Sequence, residues 1–249
     1  MALVPFRVSG AAADQSLEHR LFQIGGHTIK VRQNPAGSGA YQHIGIQSDS
    51  TSEVSRGGCA GSSEENLENV GLVVWQSAFV LAEFLMAHPP LGAWHDVHTV
   101  DLGTGTGVVG MLLALAGADV TLTDLPHVTW LARENVAANC DSPLVRAQVM
   151  DYAWGEDVAS LPACPDLITG ADIVYQSEHF AALLHSLEHL AAPHTLIYLS
   201  FRLRGRGEES FEHMLAERDF AVLRVPLEML HEEYRDGQYR VLRICKRGG

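Results

Sequence analysis

The sequence predicts an α/β fold: a mostly parallel sheet covered by helices on both faces and closed by an antiparallel hairpin. Three observations predict it. From Gly71 onward, short apolar runs alternate with stretches of helical period. A glycine-rich loop, Asp101-Leu-Gly-Thr-Gly-Thr-Gly-Val-Val-Gly110, falls where one strand ends and a helix begins. The last two apolar runs follow one another with no crossover helix between them, so they pair antiparallel.

The elements read in order as follows. Phe22 to Arg32 alternates apolar and polar residues around Gly25-Gly26, the pattern of a β-hairpin. Val74, Ala78, Leu81, Ala82 and Leu85 share one face of a helix that ends near Pro89-Pro90. A strand (Val97 to Leu102), the glycine loop, a helix (Val108 to Ala116) and a strand (Asp119 to Thr123) form a βαβ unit. A helix follows over Val128 to Asn139, then strands at Val145 to Met150 and Asp166 to Gly170. The chain continues with a helix at Glu178 to Leu190, a strand at Thr195 to Phe201 and a short helix at Glu209 to Arg218. Phe220 to Pro226 and Gln238 to Lys246 supply the hairpin. Three segments result: an extension over 1–33, a Gly/Ser-rich insertion over 34–69 expected to be flexible, and a main domain over 70–249.

Composition narrows the function. The 249 residues carry 17 Lys plus Arg against 30 Asp plus Glu, a formal net charge of −13, which argues against binding a phosphate backbone. No nucleic-acid partner is expected. Four scattered cysteines (59, 140, 164 and 245) with no CxxC pair fit a reducing compartment and suggest neither zinc nor a disulfide scaffold. No run reaches membrane-spanning length and no export signal is read at the start, so the expected location is cytoplasm, with the nucleus as a second compartment. A monomer is expected.

The glycine loop allows two ligands. From Gly105, GTGVVG matches a dinucleotide fingerprint, and Asp124 lies 19 residues on at the next strand end, where an acid binds ribose hydroxyls. That permits NAD. From Asp101, the same loop places a carboxylate beside the ligand, which repels a pyrophosphate but suits the cationic S-adenosylmethionine.

Several motifs in order resemble the seven-strand protein-lysine methyltransferases acting on non-histone proteins, of the methyltransferase-like 21 type. They are GLVVWQSAFVLAEFL, VDLGTGTGVVGMLLALAGADVTLTDL, DYAWGED with its lone Trp, and GADIVY. The resemblance covers about residues 70–246. It implies a Rossmann-like class I methyltransferase sheet, S-adenosylmethionine as cofactor and a protein lysine as acceptor. It further implies that Trp75 borders the methionine end, that Gly103, Thr104 and Gly105 form the backbone cradle beside Asp101, and that Asp124 holds the ribose. Trp154 would flank the adenine and Ala171 would line the floor. RVPLEMLHEEYRDGQYRVLRICKR looks most like the branch acting on the AAA ATPase valosin-containing protein, whereas TDLP and GADIVY look equally like branches acting on elongation factor 1A or Hsp70 chaperones.

Asp172 and Tyr175 follow a buried strand and so sit at the carboxyl edge of the sheet, where ligands bind. The carboxylate can draw in a lysine ammonium and the ring can orient its stem. Gln76 stands where the family usually has Asp, removing one carboxylate near the pocket mouth. His185 and His189 are four apart but lack a third ligand, so no metal is expected; Arg202, Arg204 and Arg206 read as a solvated loop. Two other readings stay open on the residues alone: an NAD-dependent oxidoreductase, and a cofactor-binding module without turnover.

Overall fold

A computed structural model describes residues 16–35 and 70–247. Nearly all of the insertion expected over 34–69, and the first half of the 1–33 extension, lie outside the described residues. Strand β1 (His19–Ile24) and strand β2 (His27–Arg32) form the expected hairpin. Its turn is Gly25-Gly26, with φ of +56° and +82°, the left-handed pair that a two-residue hairpin turn requires.

Helix α1 (Gln76–Ala87) follows, then β3 (His98–Leu102), α2 (Val108–Leu115), β4 (Asp119–Asp124) and α3 (Pro126–Asn139). Next come β5 (Arg146–Asp151), β6 (Leu167–Ala171), α4 (Phe180–Leu190) and β7 (Leu196–Arg202). The chain closes with α5 (Glu208–Glu217), β8 (Phe220–Arg224) and β9 (Tyr239–Lys246). The seven-strand sheet has the order β5-β4-β3-β6-β7-β9-β8. Its first five strands pair in parallel, while β9 runs antiparallel to both β7 and β8.

Two sequence expectations are corrected. Val74 precedes α1 instead of sharing its face, and α1 is buried nearly all round, through Phe79, Val80, Leu81, Ala82, Phe84 and Leu85. It is a helix sandwiched between the hairpin and the sheet. Glu178 belongs to a single 3-10 turn (Ser177–His179) that leads into α4. The expected hairpin is present and packs into the main domain: Phe22, Ile24, Ile29 and Val31 bury in the same core as α1 and α2. Burial of four such side chains contributes roughly 1.5–3 kcal/mol each, enough to hold a ribbon that would be marginal alone.

Asn135 and Asn139 on α3 satisfy the outer edge of β2. Asn135 accepts from the Arg32 N–H at 2.7 Å and donates to the Arg32 carbonyl at 3.0 Å; Asn139 accepts from the Lys30 N–H at 2.8 Å and donates to its carbonyl at 2.8 Å. The edge is thereby closed to further strand pairing. In the main sheet, the strand order reverses between β3 and β6, so the crevice at their carboxyl ends is a topological switch point.

Candidate active site

At that switch point lies a cavity of about 630 Å³. All ten residues singled out from the sequence line it: Trp75, Asp101, Gly103, Thr104, Gly105, Asp124, Trp154, Ala171, Asp172 and Tyr175. Its size is that of a small-molecule site.

One wall is the glycine loop. Gly103, Gly105 and Gly107 have φ of +61°, +56° and +89°. Gly103 has a second constraint, because a Cβ there would lie 2.6 Å from Ile173 Cγ2 and 3.0 Å from Trp154 Cζ2. The loop is pinned to β4 by the Thr104 N–H, which donates to the Thr123 carbonyl at 2.9 Å. Asp124 accepts from the Gly105 N–H at 2.7 Å and from the Leu125 N–H at 2.8 Å. These bonds favour its ionised form, yet burial is the larger influence and raises its pKa.

Asp101 sits under the loop, 2% exposed. Its two oxygens accept from the hydroxyls of Thr104 and Thr169, both at 2.6 Å. Burial pushes its pKa up to about 6 against the pull of those hydroxyls. Parallel register places Thr169 beside Asp101, across the β3–β6 pair.

Two aromatic residues, Trp75 and Trp154, also line the cavity, Trp154 directly against the glycine loop. Trp75 donates its indole N–H to the Val70 carbonyl at 2.8 Å, which fixes the ring at the N-terminus of α1. The segment bearing Trp154 is held by Ser186 of α4, whose hydroxyl accepts from both the Tyr152 hydroxyl and the Gly155 N–H at 2.9 Å. Nothing in the sequence marks Ser186, which lies 34 residues from Tyr152 on an apolar helix face.

A second wall is the acceptor motif. Asp172 has φ of +59° and donates its N–H to the Ser200 carbonyl at 2.7 Å, so the chain turns sharply as it leaves β6. Burial pushes the Tyr175 hydroxyl up to about 12, with Asp124 and Asp172 adding to the shift. It is therefore a neutral phenol at physiological pH. Arg204 is the residue that sequence reasoning misjudged. It is not a solvated loop residue: its guanidinium donates to both Asp172 oxygens, at 2.7 and 2.8 Å, and its Cζ lies 5.8 Å from the centre of the Trp75 ring. Gln76, the departure noted above, accepts from the Tyr239 hydroxyl of β9. Among the described residues no His/Cys/Asp/Glu group is arranged to hold a metal, and His185 and His189 stack on each other at the surface.

A family model described as lysine methyltransferase matches residues 61–218. This chain belongs to that family. The mouse (Mus musculus) protein named EEF1A lysine methyltransferase 3 is 37% identical over 72% of this chain and 79% of its own length. The mouse protein N-lysine methyltransferase METTL21A is 33% identical over 90% of each chain. Among solved structures, a TehB-like S-adenosylmethionine-dependent methyltransferase of Corynebacterium glutamicum aligns with a TM-score of 0.54 at 19% identity, covering 86% of this chain and all of that one. Magnesium protoporphyrin IX methyltransferase of Synechocystis, with S-adenosylmethionine bound, aligns with a TM-score of 0.51 at 20% identity over 69% of this chain and 78% of that chain. These last two show the fold.

The lysine methyltransferase is thus a class I, S-adenosylmethionine-dependent protein-lysine enzyme, and the oxidoreductase and non-catalytic readings fall away. The cavity fits that donor. Asp101 beneath a loop whose glycines let a ligand approach the backbone suits a nucleoside carrying a cation and disfavours a pyrophosphate, and Asp124 at the end of β4 suits its ribose.

Proposed function

We propose that this cavity holds S-adenosylmethionine along the glycine loop and receives the lysine of a non-histone protein between Trp75, Asp172 and Tyr175. The observation that carries the proposal is the convergence on one cavity of two separate motifs, the DLGTGTG loop and the DIVY segment. In this reading Gly103, Thr104 and Gly105 cradle the donor, with Asp101 buttressing the loop beneath them. Asp124 keeps lone pairs for the ribose hydroxyls, Trp154 flanks the adenine, Ala171 forms the floor and Trp75 borders the methionine end.

When bound, S-adenosylmethionine supplies a methyl group activated by its sulfonium. The protein's work is alignment, dehydration and control of one proton. Free lysine has a pKa of about 10.4, so only about one amine in a thousand is neutral near pH 7.4. Tyr175 and Trp75 line the lysine's path and exclude water. Tyr175, a neutral phenol, offers a hydrogen-bond donor and no base. Asp172 has both oxygens engaged by Arg204, so its role is orientation before proton removal. Most of the acceleration then comes from holding nucleophile, methyl and leaving sulfur in line.

For the acceptor we propose elongation factor 1A first, supported by the 37% identical relative named for it. The valosin-containing AAA ATPase is second, supported by the closing segment 225–246. An Hsp70 chaperone is third. The enzyme is proposed to act as a monomer in the cytoplasm, with access to the nucleus; among the described residues Cys140, Cys164 and Cys245 are free thiols. The test is calorimetric titration with S-adenosylhomocysteine and, in parallel, NAD, followed by labelled S-adenosylmethionine with the three candidates and a whole lysate. Micromolar S-adenosylhomocysteine binding and label on lysine are expected. Binding of NAD alone, or label absent from every protein, would overturn the proposal.

A further inference from the structure

The acceptor carboxylate does not stand alone. Arg204, 32 residues further along and just past β7, spans both oxygens of Asp172, and the pair is largely shielded, with side chains 23% and 6% exposed. The loop bearing Arg204 is itself built to hold it there. Glu208, 2% exposed at the start of α5, accepts from the Arg204 N–H at 2.9 Å and the Arg206 N–H at 2.8 Å. Glu208 is thus occupied by backbone groups, and the guanidinium turns to Asp172 on one side and the Trp75 ring on the other.

This matters for charge. An uncompensated carboxylate in a dehydrated pocket would bind lysine as ammonium and hold its proton, which opposes transfer. A bidentate guanidinium cancels that charge and adds a cation beside the path of the incoming amine. The other ionisable groups facing the site are Asp101, Asp124, Tyr152, Glu178 and His179 on the cavity walls, Tyr175 beside Asp172, Glu208 beneath the Arg204 loop, and Arg202 and Tyr239 at the β7–β9 side. Among them Arg204 is the one bonded to both Asp172 oxygens.

We propose that Arg204 is a positioning residue of the transfer reaction: it keeps the acceptor end of the pocket electrically balanced, so that the entering lysine releases its proton instead of being trapped as an ammonium. The released proton passes to water. The amine lone pair then forms the N–C bond as the C–S bond breaks, the electron pair stays on sulfur, and the positive charge moves from sulfur to nitrogen. The inference rests on Asp172 facing the acceptor lysine, as proposed above.

The test uses the full chain, S-adenosylmethionine and whichever protein the labelling experiment shows to accept methyl groups. For Arg204→Gln, the midpoint of the kcat–pH profile is expected to rise by about one pH unit, an approximately tenfold loss below the midpoint that recovers at higher pH. KM for the protein stays equal or falls, and S-adenosylhomocysteine affinity is unchanged. Arg204→Lys, which keeps the charge, restores the wild-type midpoint. A rate loss equal at every pH, a parallel loss of S-adenosylhomocysteine affinity, or no rate change would overturn the inference. If Arg204→Gln does not fold, Arg204→Lys decides: a retained midpoint supports the inference and a shift of a full unit overturns it. Wild-type enzyme that labels no protein would overturn the proposed function, and this inference with it.

Discussion

Replacing Asp101 with Asn should shift stability in the variant's favour as pH rises. In the folded state burial lifts the Asp101 pKa from 3.8 to about 6, so the folded protein holds this proton more tightly than the unfolded chain does. Ionising Asp101 therefore costs stability: the cost is absent below the unfolded pKa, accumulates as pH rises, and is complete above the folded value. Linkage with those two values gives a cost of about 1.6 kcal/mol near pH 5 and about 3 kcal/mol near pH 7.5. Asn removes this pH-dependent cost but also disturbs the hydroxyl bonds from Thr104 and Thr169, by an amount that does not vary with pH. The quantity to measure is thus the change in the variant-minus-wild-type difference between the two conditions, about 1.4 kcal/mol. Urea unfolding at both pH values reads it directly, and melting temperature should show roughly 3–5 °C. A difference that is the same at both pH values would refute the assignment of the raised pKa to Asp101.

Other perturbations separate the parts of the site. Asp124→Ala removes the acceptor for the Gly105 and Leu125 N–H groups, and should weaken S-adenosylhomocysteine binding by roughly 10- to 100-fold, about 1.5–3 kcal/mol, in calorimetry. Asp172→Asn should leave that binding nearly intact while methylation of protein is lost; an equal loss of both would sink the division of roles. Gly103→Ala forces a methyl into Ile173 and strains a left-handed backbone, so unfolding should show a loss of about 1–3 kcal/mol together with weaker donor binding. Ser186→Ala strips the side-chain acceptor from the Gly155 N–H and leaves the Tyr152 hydroxyl with only its longer bond to the Glu156 carbonyl at 3.3 Å, and is expected to cost about 1–3 kcal/mol and to broaden the tryptophan fluorescence response to donor binding. A Ser186→Ala protein as stable as wild type would show that the Trp154 segment is held by other contacts.

The fold was legible because its signals are local. Apolar runs of strand length alternate with helical ones, and the glycine loop sits at a strand–helix junction whose backbone has φ values that favour glycine. Parallel strands then order themselves so that such a loop meets the ends of β4 and β6, which is why Asp124 and Asp172 could be placed at one site from spacing and topology, whereas Trp154, after β5, was placed by the family resemblance. Helix ends were less legible. Pro126 opens α3 two residues before the periodicity suggested, because a proline at the first helical position surrenders only an N–H that would have no partner within the helix.

What the sequence by itself determined about this protein is the order of its elements, the glycine loop with Asp101 and Asp124, and the sheet-edge pair Asp172 and Tyr175, set by short-range pattern and by the chemistry of single residue types, while Trp75, Trp154 and Ala171 came from the family resemblance. Only the tertiary structure decided how those residues are partnered. Thr169 meets Asp101 across 68 residues, Ser186 meets Tyr152 across 34, Gln76 meets Tyr239 across 163, and Arg204 closes on Asp172 across 32. None of these pairings has a period. Each follows from strand register and from which helix covers which face, so an arginine in a run that reads as solvent-exposed becomes a buried counter-charge only once β7 lies beside β6.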